Sequence, residues 1–192
     1  MLETLDVELE LGLILFDPLL TLEELLTNVE MLEVTGFWRY AGSLFSFLRP
    51  QVDTPYEKLL RKRHLLGALK PDTADYEAIY ADAHIGEIAR YCLEWNRRFK
   101  HFYMALRNVD RSEVGTSHFV EEVHSYRYTQ LDFLRTLLAY SYEDLDSYAS
   151  DVGSWHKKVA SIAQDINYRL SSISEKTAAE SFLSRVILRL GI

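Results

Sequence analysis

Residues 5–15 alternate, with Leu5, Val7, Leu9, Leu11, Leu13 and Leu15 apolar and Asp6, Glu8, Glu10 and Gly12 between them. A period of two is that of a strand with one buried face. A helical reading would scatter Val7, Leu11 and Leu15 among the acids. Beyond Asp17-Pro18 the period lengthens to that of a helix. Thr21 and Glu24 form a capping box, Leu22, Leu25, Leu26, Val29 and Leu32 share a face, and Gly36 ends the segment. Phe37, Tyr40, Ala41, Leu44, Phe45 and Leu48 continue at helical spacing up to Arg49-Pro50. The stretch TPYEKLLRKRHLLGALKP opens with Thr54 as cap, Pro55 at the first helical position and Glu57 at the third, so it is expected to stay helical until Lys70-Pro71.

A longer helix is expected from Asp72 to about Val109, with Tyr80, His84, Ile88, Cys92, Trp95, Phe99, Phe102 and Leu106 as its apolar stripe. After the polar stretch 108–117, another is predicted from His118 to Val152, with Val123, Leu131, Leu134 and Leu138 facing inward. The last region runs from Trp155 through Ile173, and a box of Thr177 and Glu180 opens a final segment. The pattern predicts an all-α protein, an elongated antiparallel helical bundle of long helices with a short N-terminal β-like segment. Residues 1–50 read as an N-terminal segment of a possible strand and two short helices, and residues 51–192 as the bundle body.

Composition sharpens this in three ways. An apolar share of 48 % in 192 residues is ample for a core without staples. Cys92 is the single cysteine, which rules out a disulfide within the chain and suits a reducing compartment. The net charge of −8 is unevenly spread: residues 1–33 hold nine of the 29 acids and none of the 21 bases, leaving the remainder within one charge of neutral. The acidic start lacks the basic region of a signal peptide. No apolar run reaches the ~20 residues that span a bilayer, so a cytoplasmic location without a transmembrane segment is expected. Global acidity disfavours nucleic acid, whose binding rests on phosphate neutralisation.

Candidate chemistry is sparse, and no cofactor fingerprint stands out. Glu121 and His124 have the Glu-x-x-His spacing that places a carboxylate and an imidazole on one helix face in di-metal bundles, and Glu87 could add a second carboxylate. Arg97, Arg98, Lys100, His101, Arg107, Arg111, His118, His124 and Arg127 crowd one end of the two long helices, with aromatic residues among them. Within that set, Arg111 followed by His118 resembles the Arg-x(4–6)-His signature of HEPN-type ribonucleases, which are all-helical and often dimeric. The resemblance implies that Arg111 would stabilise a scissile phosphate and His118 would act as general acid or base, with RNA as substrate. The resemblance covers those two residues.

Twelve tyrosines exceed what the packing of a slender bundle requires, and tyrosine suits surfaces that are wet before assembly and dry after it. The leading sequence reading is therefore a non-enzymatic interaction or oligomerisation module. Its expected contact residues are Leu9, Leu11, Leu13 and Leu15 of the strand-like segment, with Phe37, Trp38, Tyr40 and Phe45 of the aromatic stretch. A lone strand leaves backbone donors and acceptors open, so residues 5–17 are expected to pair with another copy of the chain or with a partner protein.

Overall fold

The computed structural model describes residues 12–41, 43–110, 120–145 and 152–172, with side chains except at 105–110, 120, 152–153 and 166–172. Helix α1 is Leu22–Thr35, followed by a 3-10 turn at Phe37–Tyr40, and helix α2 is Pro55–Lys62. Strands β1 (Leu66–Lys70) and β2 (Asp75–Ala78) come next, then helices α3 (Ala83–Asp110), α4 (Val120–Leu138) and α5 (Val152–Ser172). The chain divides into two compact units, residues 1–92 and 93–192.

The all-α expectation is wrong. Strands β1 and β2 form an antiparallel pair with Leu66 opposite Ala78, Leu69 opposite Tyr76 and Lys70 opposite Asp75, with a register shift between Leu66 and Leu69. The helix expected to run to Lys70 stops at Lys62, and the cause is local. His64 adopts a left-handed backbone, with φ of 57°. The Leu65 amide donates back to the Leu60 carbonyl at 3.0 Å, and the His64 amide to the Arg61 carbonyl at 3.1 Å. That pair of bonds is a Schellman stop, usually built on glycine and here built on histidine. Leu60 and Leu65 are both buried at it. Beyond the stop the chain is extended, and Gly67 fits because a β carbon there would sit 3.1 Å from Cβ of Glu77. The expected cap Asp72 lies in the turn before β2 instead. Asp82 caps α3, its Oδ1 accepting from the amides of His84 at 2.8 Å and Ile85 at 3.3 Å.

Residues 37–48 also depart from helix. After the 3-10 turn the chain bends, and Phe47 bridges Phe16 in parallel. The amides of Leu15 and Phe16 donate to the Ser46 carbonyl at 3.1 and 3.0 Å, and the Leu48 amide donates to the Phe16 carbonyl at 2.8 Å. The described end of the alternating segment therefore pairs with its own chain along Ser46–Leu48. The Phe16 and Phe47 rings stack, with centroids 5.0 Å apart. Gly36 and the box of Thr21 and Glu24 stand as the sequence predicts. At Thr54 only half of the expected box forms: Thr54 Oγ1 accepts from the Glu57 amide at 3.1 Å, while the Glu57 carboxylate turns to Arg61.

In the first unit Leu15, Phe16, Leu25, Leu32, Leu44, Phe45, Leu60, Ile85 and Ile88 are buried, and Cys92 is a buried free thiol. Side-chain bonds tie distant segments of this unit together. Tyr56 donates to Asp17 Oδ1 at 2.6 Å, and Asp17 Oδ1 also accepts from the Leu19 amide at 2.8 Å. The Ala81 amide donates to the Pro18 carbonyl at 2.9 Å. Arg61 links the buried Glu57 carboxylate at 2.7 Å to the Tyr76 hydroxyl at 2.9 Å, which fastens α2 to β2. In the second unit α4 and α5 pack together. An aromatic cluster of Trp95, Phe99, Phe133 and Trp155 fills its interior, and Trp95 Nε1 donates to the buried Tyr126 hydroxyl at 3.3 Å.

Candidate interaction surface

Helix α1 begins where the Thr21 hydroxyl accepts from the Glu24 amide at 3.2 Å and the Glu24 carboxylate accepts from the Thr21 amide at 2.9 Å. The bonds that the Thr21 amide and then the Thr21 hydroxyl donate to it hold the Glu24 carboxyl below the ordinary carboxylate range. The helix ends at Gly36, whose left-handed backbone (φ 69°) lets its amide reach the Glu33 carbonyl. Between these fixed ends the helix buries Leu25, Val29 and Leu32, a four-then-three spacing that draws one stripe down one side. At 100° per residue, Glu23, Thr27, Glu30, Met31 and Val34 fall on the half of the helix opposite that stripe, while Leu26 stands on its flank, and all six are exposed.

That outer face is unusual in what it carries. Leu26 is 47 % exposed, Met31 40 % and Val34 82 %, and Phe37 just past the helix is 41 % exposed. A solvated helix face normally carries charged and polar residues. Here Glu23 and Glu30 lie on the wheel among the apolar side chains, and no basic residue occupies the last turn. Next to Phe37, the Arg39 guanidinium lies over the Trp38 ring at 4.9 Å.

The residues expected to make partner contacts divide. Leu9 and Leu11 lie outside the described residues. Leu13 is half-buried, while Leu15 and Phe45 are buried in the first unit, at 2 % and 1 % exposure. Phe37 is exposed, and Trp38 and Tyr40 are half-buried. Sequence reasoning placed Leu26 on the core side of α1 and did not single out Met31 or Val34. The signal was present in the wheel, since Val34 falls well off the line through Leu25, Val29 and Leu32.

The other candidates are placed as follows. Arg111 and His118 lie outside the described residues, and so does the side chain of Arg107. Arg97, Arg98, Lys100 and His101 are exposed along α3, and His124 and Arg127 are half-buried on α4. Glu87 pairs with Arg90 one turn on, at 2.7 Å. Glu121 is exposed, whereas its neighbour Glu122 is buried. Among the described residues no group of three or more His, Cys, Asp or Glu is placed to hold a metal ion. His84 is half-buried at the first turn of α3, where its amide is capped by Asp82. Burial pushes the Cys92 thiol well above its usual pKa, opposite to the shift that activates a nucleophile. Among the described residues, no helix is long and apolar enough to cross a membrane.

No protein-family model matches the sequence, and no curated protein matches it. One solved structure is similar, that of a cobalamin-dependent S-adenosylmethionine radical enzyme, OxsB, with aqua-cobalamin and S-adenosylmethionine bound. The similarity covers 93 % of this chain with a TM-score of 0.65 and 12 % sequence identity. The chain matches 35 % of that protein's length, so the likeness is one of fold with part of a larger molecule. That enzyme has an α/β fold, which agrees with the strands found here and not with an all-helical bundle.

Proposed function

We propose that these residues form a non-enzymatic helical interaction module, a scaffold or adaptor element of a larger assembly. The observation that carries this reading is the outer face of α1, where Leu26, Met31 and Val34 are exposed although the same helix already has a full buried stripe. Apolar side chains on a short, well-capped helix add nothing to its local stability that charged residues would not. Exposed apolar side chains on a helix that already has its own buried stripe suit a contact surface.

The likeness is one of fold, and the groups bound in that neighbour are not assigned to this chain. An iron–sulfur cluster of the kind that serves radical chemistry is held by several cysteine thiolates. This chain has one cysteine, Cys92, and it is fully buried with a raised pKa. Its residues do not fit such a centre, and no step through one is assigned to them.

Native mass spectrometry of the protein purified from its own host tests the proposal. A complex heavier than the single chain, stable in half-molar salt as apolar docking should be, is the expected result. A bare monomer at micromolar concentration would overturn it.

A further inference from the structure

Resting on the reading above, we propose that the outer face of α1 docks one kind of partner: an amphipathic helix of another protein that carries Lys or Arg among its apolar anchors. The argument is charge complementarity on a shared face. Leu26, Met31 and Val34 supply apolar contact, and Glu23 and Glu30 stand on the same half of the helix. Helix α1 itself carries four acids, Glu23, Glu24, Glu30 and Glu33, and no base. A second copy of this face would set those acids against each other, and like charges facing each other across an interface repel. An anionic lipid surface or a nucleic acid would meet the same repulsion. A basic amphipathic helix satisfies both halves of the face, with apolar side chains three and four residues apart over Leu26, Met31 and Val34. Its cations would then stand against Glu23 and Glu30. Complementary charge also speeds encounter, so Glu23 and Glu30 would draw such a helix in before the apolar contact forms.

The test places a photo-reactive benzoylphenylalanine at position 34 of the full chain, expressed in its own host, and sequences the cross-linked peptide. Val34 is 82 % exposed, so the substitution leaves the core untouched. The expected adduct is a segment with Lys or Arg interleaved among apolar residues at helical spacing. Charge reversal at Glu23→Lys and Glu30→Lys together should lower its yield at least fivefold. A synthetic peptide of the captured segment should bind the purified chain at least tenfold more tightly than its Lys→Glu counterpart, by fluorescence anisotropy. An adduct to a second copy of this chain, to lipid, to nucleic acid or to an acidic segment would overturn the proposal, as would no adduct or an unchanged yield after charge reversal. The same cross-linker at Tyr128, exposed on the second unit, separates the two failures. Adducts at 128 with none at 34 sink the α1 assignment and leave the interaction module standing, whereas no adduct at either position together with a native monomer sinks both.

Discussion

His64 is the residue whose conformation most changed the picture of this chain. A histidine at φ 57° occupies a region that glycine enters at no steric penalty. His64→Gly should therefore leave the α2 stop intact and shift stability by less than about 1 kcal/mol in either direction, since the relief of strain is offset by unfolded-state entropy. His64→Val, branched at Cβ, should cost more than about 1 kcal/mol. Urea midpoints of the two variants check the contrast; equal midpoints would show that the left-handed turn does not govern the stop. Thr21 acts at the other kind of helix end. Thr21→Ala removes the bond that the Glu24 amide donates and should lower stability by about 1 kcal/mol. Thr21→Asp, another good cap, should recover most of the loss in the same measurement.

Among the elements, the helices were legible where both their ends and their apolar stripe lay in the sequence. For α1, Thr21, Glu24, Gly36 and the spacing of Leu25, Val29 and Leu32 fixed its span. The stretch after α2 was misread because its stop carries no glycine and no proline, and because Leu65, Leu66 and Leu69 continue an apolar run that suits either period. Three-dimensional pairing decided it: the Tyr76 amide donates to the Pro50 carbonyl at 2.9 Å and the Ile79 amide to the Leu65 carbonyl at 3.0 Å, bonds made by residues far apart in sequence. The contact face was half legible for the same reason. Alternation marked Leu13 and Leu15 as one-sided, but only the bonds to Ser46 show that Leu15 serves the protein's own core. Leu60 joins helix to hairpin within this unit, being fully buried at the α2 stop. Leu60→Ala should destabilise by about 2–5 kcal/mol, and circular dichroism with urea would measure it.

For the whole molecule, pH and fluorescence report on features that single substitutions do not. Burial, joined for Tyr56 by the neighbouring Asp17 carboxylate, raises the phenols of Tyr56, Tyr80 and Tyr126 above their ordinary value. A raised folded pKa gives stability that is complete below the unfolded value, about 10, and is lost as pH rises beyond it. Glu24 has the opposite sign: its lowered folded pKa gives stability present above the ordinary carboxylate range and lost as pH falls through it. The urea midpoint should accordingly fall above about pH 10. Tyr56→Phe, which removes one of the phenols together with its bond to Asp17, should start about 1–2 kcal/mol lower and fall less steeply. The three tryptophans divide between the units, Trp38 half-exposed in the first and Trp95 and Trp155 each 4 % exposed in the second. Acrylamide quenching of the wild type should be dominated by Trp38, and Trp38→Phe should lower the quenching constant by more than half; a smaller drop would mean that the second unit's aromatic core is open to solvent. The tie between Pro18 and Ala81 carries a consequence in time as well as space. A ribosome adding about 5–20 residues per second needs several seconds after Pro18 to reach Ala81, and until then the carbonyl at Pro18 has no amide to receive. The segment at Pro18 is therefore made early and fastened late. Nascent-chain arrest before and after residue 81 should show it passing from protease-sensitive to protected.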